Sequence, residues 1–150
     1  MASQAFSSAG SKFYLSAGVP ATITESGFSA LTYTVVKEVT EVGTIGPESA
    51  VIQHVPLDEN TTYKLKGVRN NGTLSLKGGR VPSDPGQTLL IAAEASNAPY
   101  SMKIELQDGS MIYAQCLVTS YKTNIGSAGQ ITGFESNVEI SGDVIDVAAD

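Results

Sequence analysis

The chain has 150 residues, 41% of them hydrophobic, with nine lysines and arginines against fifteen carboxylates and a net charge of −6. That length suits one domain able to bury roughly 70% of the surface its unfolded form exposes, and the acidic balance argues against a protein that grips nucleic-acid phosphates by releasing counterions. The single cysteine, Cys116, excludes an internal disulfide, and its neighbours Ala114, Leu117 and Val118 mark it as a buried structural thiol in a chain suited to a reducing compartment.

Residues 1–30 are rich in serine, threonine, alanine and glycine and hold one short strand signal at 13–15, so they predict a flexible amino-terminal arm. No charged region followed by an apolar one marks a signal peptide, and no run reaches the ~18 apolar residues of a membrane helix. The expected setting is soluble and cytoplasmic. In residues 31–42, LTYTVVKEVTEV, β-branched residues dominate and Leu31, Tyr33, Val35 and Val39 share one side of a period of two, which predicts a strand. Residues 43–60 carry Gly43, Gly46, Pro47 and Pro56 and read as a long connection with a short extended stretch at 51–55, whose Val51, Ile52 and Val55 a free loop would leave in water. Asn71-Gly72 then predicts a hairpin that sets Tyr63 and Leu65 on the side of Leu74 and Leu76, with Lys64, Lys66 and Lys77 on the other.

Residues 83–97 hold the one strong helix signal: Ser83 or Asp84 as cap, Pro85 in the first turn, and Leu89, Leu90 and Ala93 as an apolar stripe. Asp108-Gly109 predicts a second two-residue hairpin, setting Leu106 opposite Met111, Ile104 opposite Tyr113 and Met102 opposite Gln115. The reverse face then mixes Ile112, Ala114, Cys116 and Val118 with Glu105, Lys103 and Ser101, and either that helix or a neighbouring subunit must cover it. The last strand turns Phe134, Val138 and Ile140 inward and Glu135 and Glu139 outward, and residues 143–150 read as a short acidic tail. The fold class expected is mainly β, an antiparallel sandwich or barrel with one flanking helix.

Chemistry is sparse. His54, the only histidine, has no serine or cysteine at a triad-like spacing, and the carboxylate pairs Asp143 with Asp146 and Asp58 with Glu59 are too few for a calcium loop. Gly126-Ser127-Ala128-Gly129 joins strands and lacks flanking cations, unlike a nucleic-acid glycine clamp. No phosphate loop, nucleophile elbow or paired-cysteine motif occurs. Neither enzymatic activity, metal nor cofactor is expected.

The order of features over residues 31–142 resembles the major tail tube proteins of long-tailed, non-contractile bacteriophages: the helix start Gly86-Gln87, Leu89-Leu90, the Asp108-Gly109 turn, the strand end Val118-Thr119-Ser120 and the final VEISG at 138–142. The serine-rich amino terminus departs from that pattern. The resemblance implies a structural virion protein that self-assembles into stacked hexameric rings forming a tube for DNA delivery, located in the virion tail and made in the host cytoplasm. Its partners would be other copies and the tail proteins at the tube ends, with DNA passing unbound and no membrane contact. Ile112, Ala114, Cys116 and Val118 would pack between subunits, Val51, Ile52 and Val55 would reach the next ring from a loop mobile in the monomer, and Glu38 and Glu105 would be lumen carboxylates, a role for which Glu135 and Glu139 on the last strand pass the same test of periodicity. The other readings are a small-ligand or carbohydrate-binding sandwich with Tyr33, Tyr100, Tyr113 and Tyr121 as stacking platform, or another virion part such as a tail terminator or head-decoration protein.

Overall fold

Alternating apolar side chains build nine strands, which the computed structural model, describing residues 5–148, connects with two helices. In chain order they are β1 (Lys12–Ser16), α1 (Glu25–Ser29), β2 (Thr34–Val36), β3 (Val39–Glu41), β4 (Glu48–His54), β5 (Tyr63–Asn70), β6 (Thr73–Gly79), α2 (Pro85–Ala95), β7 (Tyr100–Glu105), β8 (Met111–Asn124) and β9 (Gly133–Val147). Seven strands form one antiparallel sheet in the order β2-β1-β7-β8-β9-β6-β3, and β4 pairs with β5 alone.

The two edge strands of the large sheet are consecutive in the chain. Residues 31–42 are therefore not one strand: the backbone breaks at Lys37 and Glu38, whose φ of 64° leaves the extended region, and β2 and β3 go to opposite edges. The sheet curls until these edges meet at the break. Backbone groups at such a seam lose their ladder partners, and α2 supplies replacements. Asp84 Oδ2 accepts from the Lys37 N–H and the Gln87 N–H, both at 3.1 Å, so the helix cap also holds the seam. The Gln87 amide donates to Lys37 O (2.9 Å) and Gly79 O (2.8 Å) and accepts from Val81 N–H (2.8 Å). A Cβ on Gly86 would stand 2.1 Å from Val35 O, so only glycine lets the helix come this close.

The concave side of the curled sheet is the core, containing Phe13, Leu15, Leu74, Leu76, Met102, Phe134 and Val138 together with Leu90 and Ala93 from α2. Ala114, Cys116 and Val118 belong to this core, and Ile112 packs against it. The two-residue hairpin at Asp108-Gly109 is corrected by one position. Leu106 N–H donates to Ser110 O, Gly109 N–H to Leu106 O, and Gly109 takes φ 92°, which is a three-residue loop with a bulge. Met102 consequently pairs with Ala114 and Ile104 with Ile112. Moving the register by one residue exchanges the faces, so the apolar residues of both strands share the inside and Lys103, Glu105 and Tyr113 share the outside. The mixed face does not exist.

Three other segments differ from expectation. β1 is an inner strand of the large sheet with Phe13 and Leu15 buried, and α1 lays Phe28 on the outer face against Tyr113 (ring centroids 5.7 Å), so the region from residue 12 to 30 is not a loose arm. Asn71-Gly72 closes no hairpin, because β5 pairs with β4 while β6 pairs with β9 and β3. Residues 143–147 are not a tail but the end of β9, pairing with β8 at Met111–Tyr113 beyond an irregularity at Gly142.

Gln87→Leu leaves three seam groups without partners and should lower unfolding free energy by roughly 2–4 kcal/mol, read from urea denaturation. Val118→Asp places a charge in the monomer core and should cost at least about 3 kcal/mol in the same assay, whatever the state of assembly.

Candidate assembly surfaces

The β4–β5 hairpin is the feature that the rest of the chain does not use. Val51, Ile52 and Val55 alternate poorly, and Pro56 and Pro47 flank them, so the local pattern alone reads as a loop. Its partner is the alternating run Tyr63 to Val68, and Ile52 pairs with Leu65 and His54 with Tyr63. A bulge between Ser49 and Val51 keeps Gly67 beneath Ala50 and Ile52. One face therefore holds Ala50, Ile52, His54, Tyr63 and Leu65, and the other holds Val51 with Lys64 and Lys66. Both faces are open to solvent: Val51, Leu65 and Val68 are 63%, 64% and 82% exposed. The three residues expected to seek a neighbour thus lie on a preformed arm rather than a free loop, and Val51 and Ile52 point to opposite sides of it.

The structure does not bring the other expected positions into a common surface. Ile112, Ala114, Cys116 and Val118 face the inside of their own chain, where α2 contributes to the same core, so the expectation that neighbouring subunits cover them is corrected. Glu38 is exposed at the seam, beside Asn124 at the end of β8. Glu105 lies outside β7 opposite Met111, at the other end of β8, and accepts from the Tyr14 hydroxyl at 3.1 Å. The tyrosines also divide. Tyr33 and Tyr113 stand on the outer face with Phe28, whereas Tyr121 stacks on Phe134 (5.6 Å) at the core, so they form no shared platform. His54 is exposed on the arm, and among the described residues no three metal-ligating side chains cluster.

Burial governs the titrating groups. The Cys116 thiol is pushed up to about 12 from 9.0 by desolvation alone, so it is not a nucleophile at neutral pH. Tyr33 and Tyr113 are raised by burial first and then by nearby negative charge, from Tyr113 for the former and from Glu25 and Glu105 for the latter. Lys103 Nζ sits 4.3 Å from the Tyr14 ring centre and 5.1 Å from that of Tyr33, knitting β1, β7 and the amino-terminal segment on the outside of the sheet. A cavity of about 540 Å³ opens between residues 39–45 and Ile104, Leu106 and Ile112, lined mainly by aliphatic side chains and backbone.

A curled seven-stranded antiparallel sheet, one helix closing its seam and a separate protruding hairpin define a tail-tube-type fold. Solved structures with this fold include a chain of the six-fold symmetrised baseplate of the anti-feeding prophage, at TM-score 0.73 and 15% identity, covering 100% of this chain and 99% of that one. A chain of the SPP1 tail tube matches at TM-score 0.61 and 11% identity over 93% of this chain and 78% of that one. A chain from the sheath/tube terminator of an extracellular contractile injection system, PVC, matches at 0.62 and 16% over 91% and 94%. No protein-family model matches the chain, and no curated protein matches it in sequence.

The raised thiol and tyrosines fix the sign of the alkaline response. Folded groups keep protons that the unfolded chain releases, so stability is full below the unfolded thiol value and is lost as pH rises from about 9 toward about 12. Urea midpoints should be flat from about pH 7 to about pH 9 and fall above it, and Cys116 should react with a thiol reagent only after unfolding.

Proposed function

We propose that the chain is a structural virion protein that self-assembles into stacked rings, six copies to a ring, forming the tube of a phage tail through which DNA is delivered. It would be made in the host cytoplasm and act in the virion tail, with other copies and the tail proteins at the tube ends as partners, and no catalytic role. The observation that carries this reading is the β4–β5 arm. An isolated two-stranded hairpin is marginal in water, and one that exposes aliphatic side chains on both faces is stabilised by docking on another surface. The arm, with Val51, Ile52 and Val55, is the element that links one ring to the next. The six-fold symmetry named for the baseplate chain and the tube named for the SPP1 chain support ring and tube geometry.

The charge suits a conduit. A net −6, with carboxylates such as exposed Glu38 and half-buried Glu105, repels phosphate, so a duplex moves along the wall without adhering. The likeness to a sheath/tube terminator chain favours one second reading, an end piece of the tube that forms a ring and does not propagate.

Negative-stain electron microscopy of the purified protein should show tubes about as wide as one ring and of variable length. Isolated rings that never stack would favour the end piece, and monomers at every concentration would overturn both readings. In the tube, amides of residues 51–55 should gain strong protection from exchange relative to the monomer.

A further inference from the structure

The barrel has two unlike ends, and β6 runs between them. At its Thr73 end lies the root of the arm, where Asn71 O accepts from Gly46 N–H and Gly72 O from Ile140 N–H. At its Gly79 end lies the loop of residues 125–132 between β8 and β9, where Thr132 O accepts from Arg80 N–H. The apex of the arm is a tight turn closed by Glu59 N–H to Pro56 O, with Leu57 and Asp58 at its corners. Leu57 is fully exposed, and the Tyr63 hydroxyl donates to the Glu59 carboxylate at 2.7 Å, fixing the apex to the arm. An apolar side chain beside two carboxylates is thus held out from the body.

The opposite end offers the complement. Ile125 and Ile131 are 71% and 86% exposed on a loop shaped by Gln130, whose N–H donates to Ser127 O and whose Oε1 accepts from Ser127 N–H. Exposed Lys37, Lys77, Arg80 and Lys122 surround that loop and the adjoining seam, interleaved with the carboxylates of Glu38, Glu41, Asp84 and Glu135. Cations and carboxylates balance there, although the whole chain is acidic.

We propose that the arm's apex docks on the β8–β9 end of a second copy, with Leu57 against Ile125 and Ile131 and the carboxylates of Asp58 and Glu59 toward Arg80 and Lys122. This rests on the tube reading above and names the receiving surface. Donor and acceptor occupy opposite ends of one chain, so the contact is heterologous: two copies cannot satisfy each other mutually, and addition continues along an axis. The seven residues of β4 make an arm of about 23 Å at roughly 3.3 Å per residue, long enough to carry the apex clear of its own body.

The full chain carrying both Leu57→Cys and Ile131→Cys, assembled and then oxidised, should give a ladder of disulfide-linked multimers on a non-reducing gel. Either single variant should give nothing beyond dimers, and buried Cys116 stays silent. Asp58→Arg and Arg80→Asp should each abolish tubes at low salt while the monomer stays folded by circular dichroism, and the double variant should regain them. Tubes that form without cross-linking and ignore both charge reversals would overturn this contact and leave the tube reading standing. A parent chain that never assembles would overturn both.

Discussion

The fold depends on a two-residue break. Lys37 and Glu38 carry the chain from one edge of the sheet to the other, and a backbone that leaves its ladder there exposes groups that must find partners. Asp84 and Gln87 provide them from the first turn of α2. The buried Gln87 amide uses both donors and its acceptor on three segments, Lys37, Gly79 and Val81, while the Asp84 carboxylate serves helix and seam together. The same turn aims Leu90 and Ala93 into the core, so capping, closure and packing are coupled.

Closure decides what remains outside. With the sheet curled on itself, the apolar rows of β7, β8 and β9 face inward, and the short edges at β2 and β3 offer little backbone for pairing with another chain. Phe28 covers part of the outer face through Tyr113. Much of the exposed aliphatic surface is then concentrated at the arm and at the β8–β9 loop, on opposite ends of the barrel.

At residues 106–110 one residue of loop length separates two registers with opposite faces. Asp-Gly serves both a two-residue turn and a three-residue loop with a bulge, and the choice moves every later pair by one. The two-residue register sets Ile112, Ala114, Cys116 and Val118 against charges, and the three-residue loop with its bulge puts them inside instead. No assembly is needed to cover them. The Asn71-Gly72 error has a different cause: the turn residues are present, and Gly72 does take φ 86°, but the strands on either side belong to different sheets.

The sequence by itself determined the strands at 111–121 and 133–142, the helix with its Asp84 cap and Pro85, the inward side of the last strand, and the buried thiol. Each rests on local periodicity, on capping within one turn, or on neighbours along a single strand. Only the tertiary structure decided that β1 inserts between β2 and β7, that β5 leaves β6 for β4, and that a run of β-branched residues breaks to close a barrel. A strand's hydrogen bonds are made to another strand whose distance along the chain its own side chains do not encode, and the partner is settled by which arrangement buries every apolar face at once.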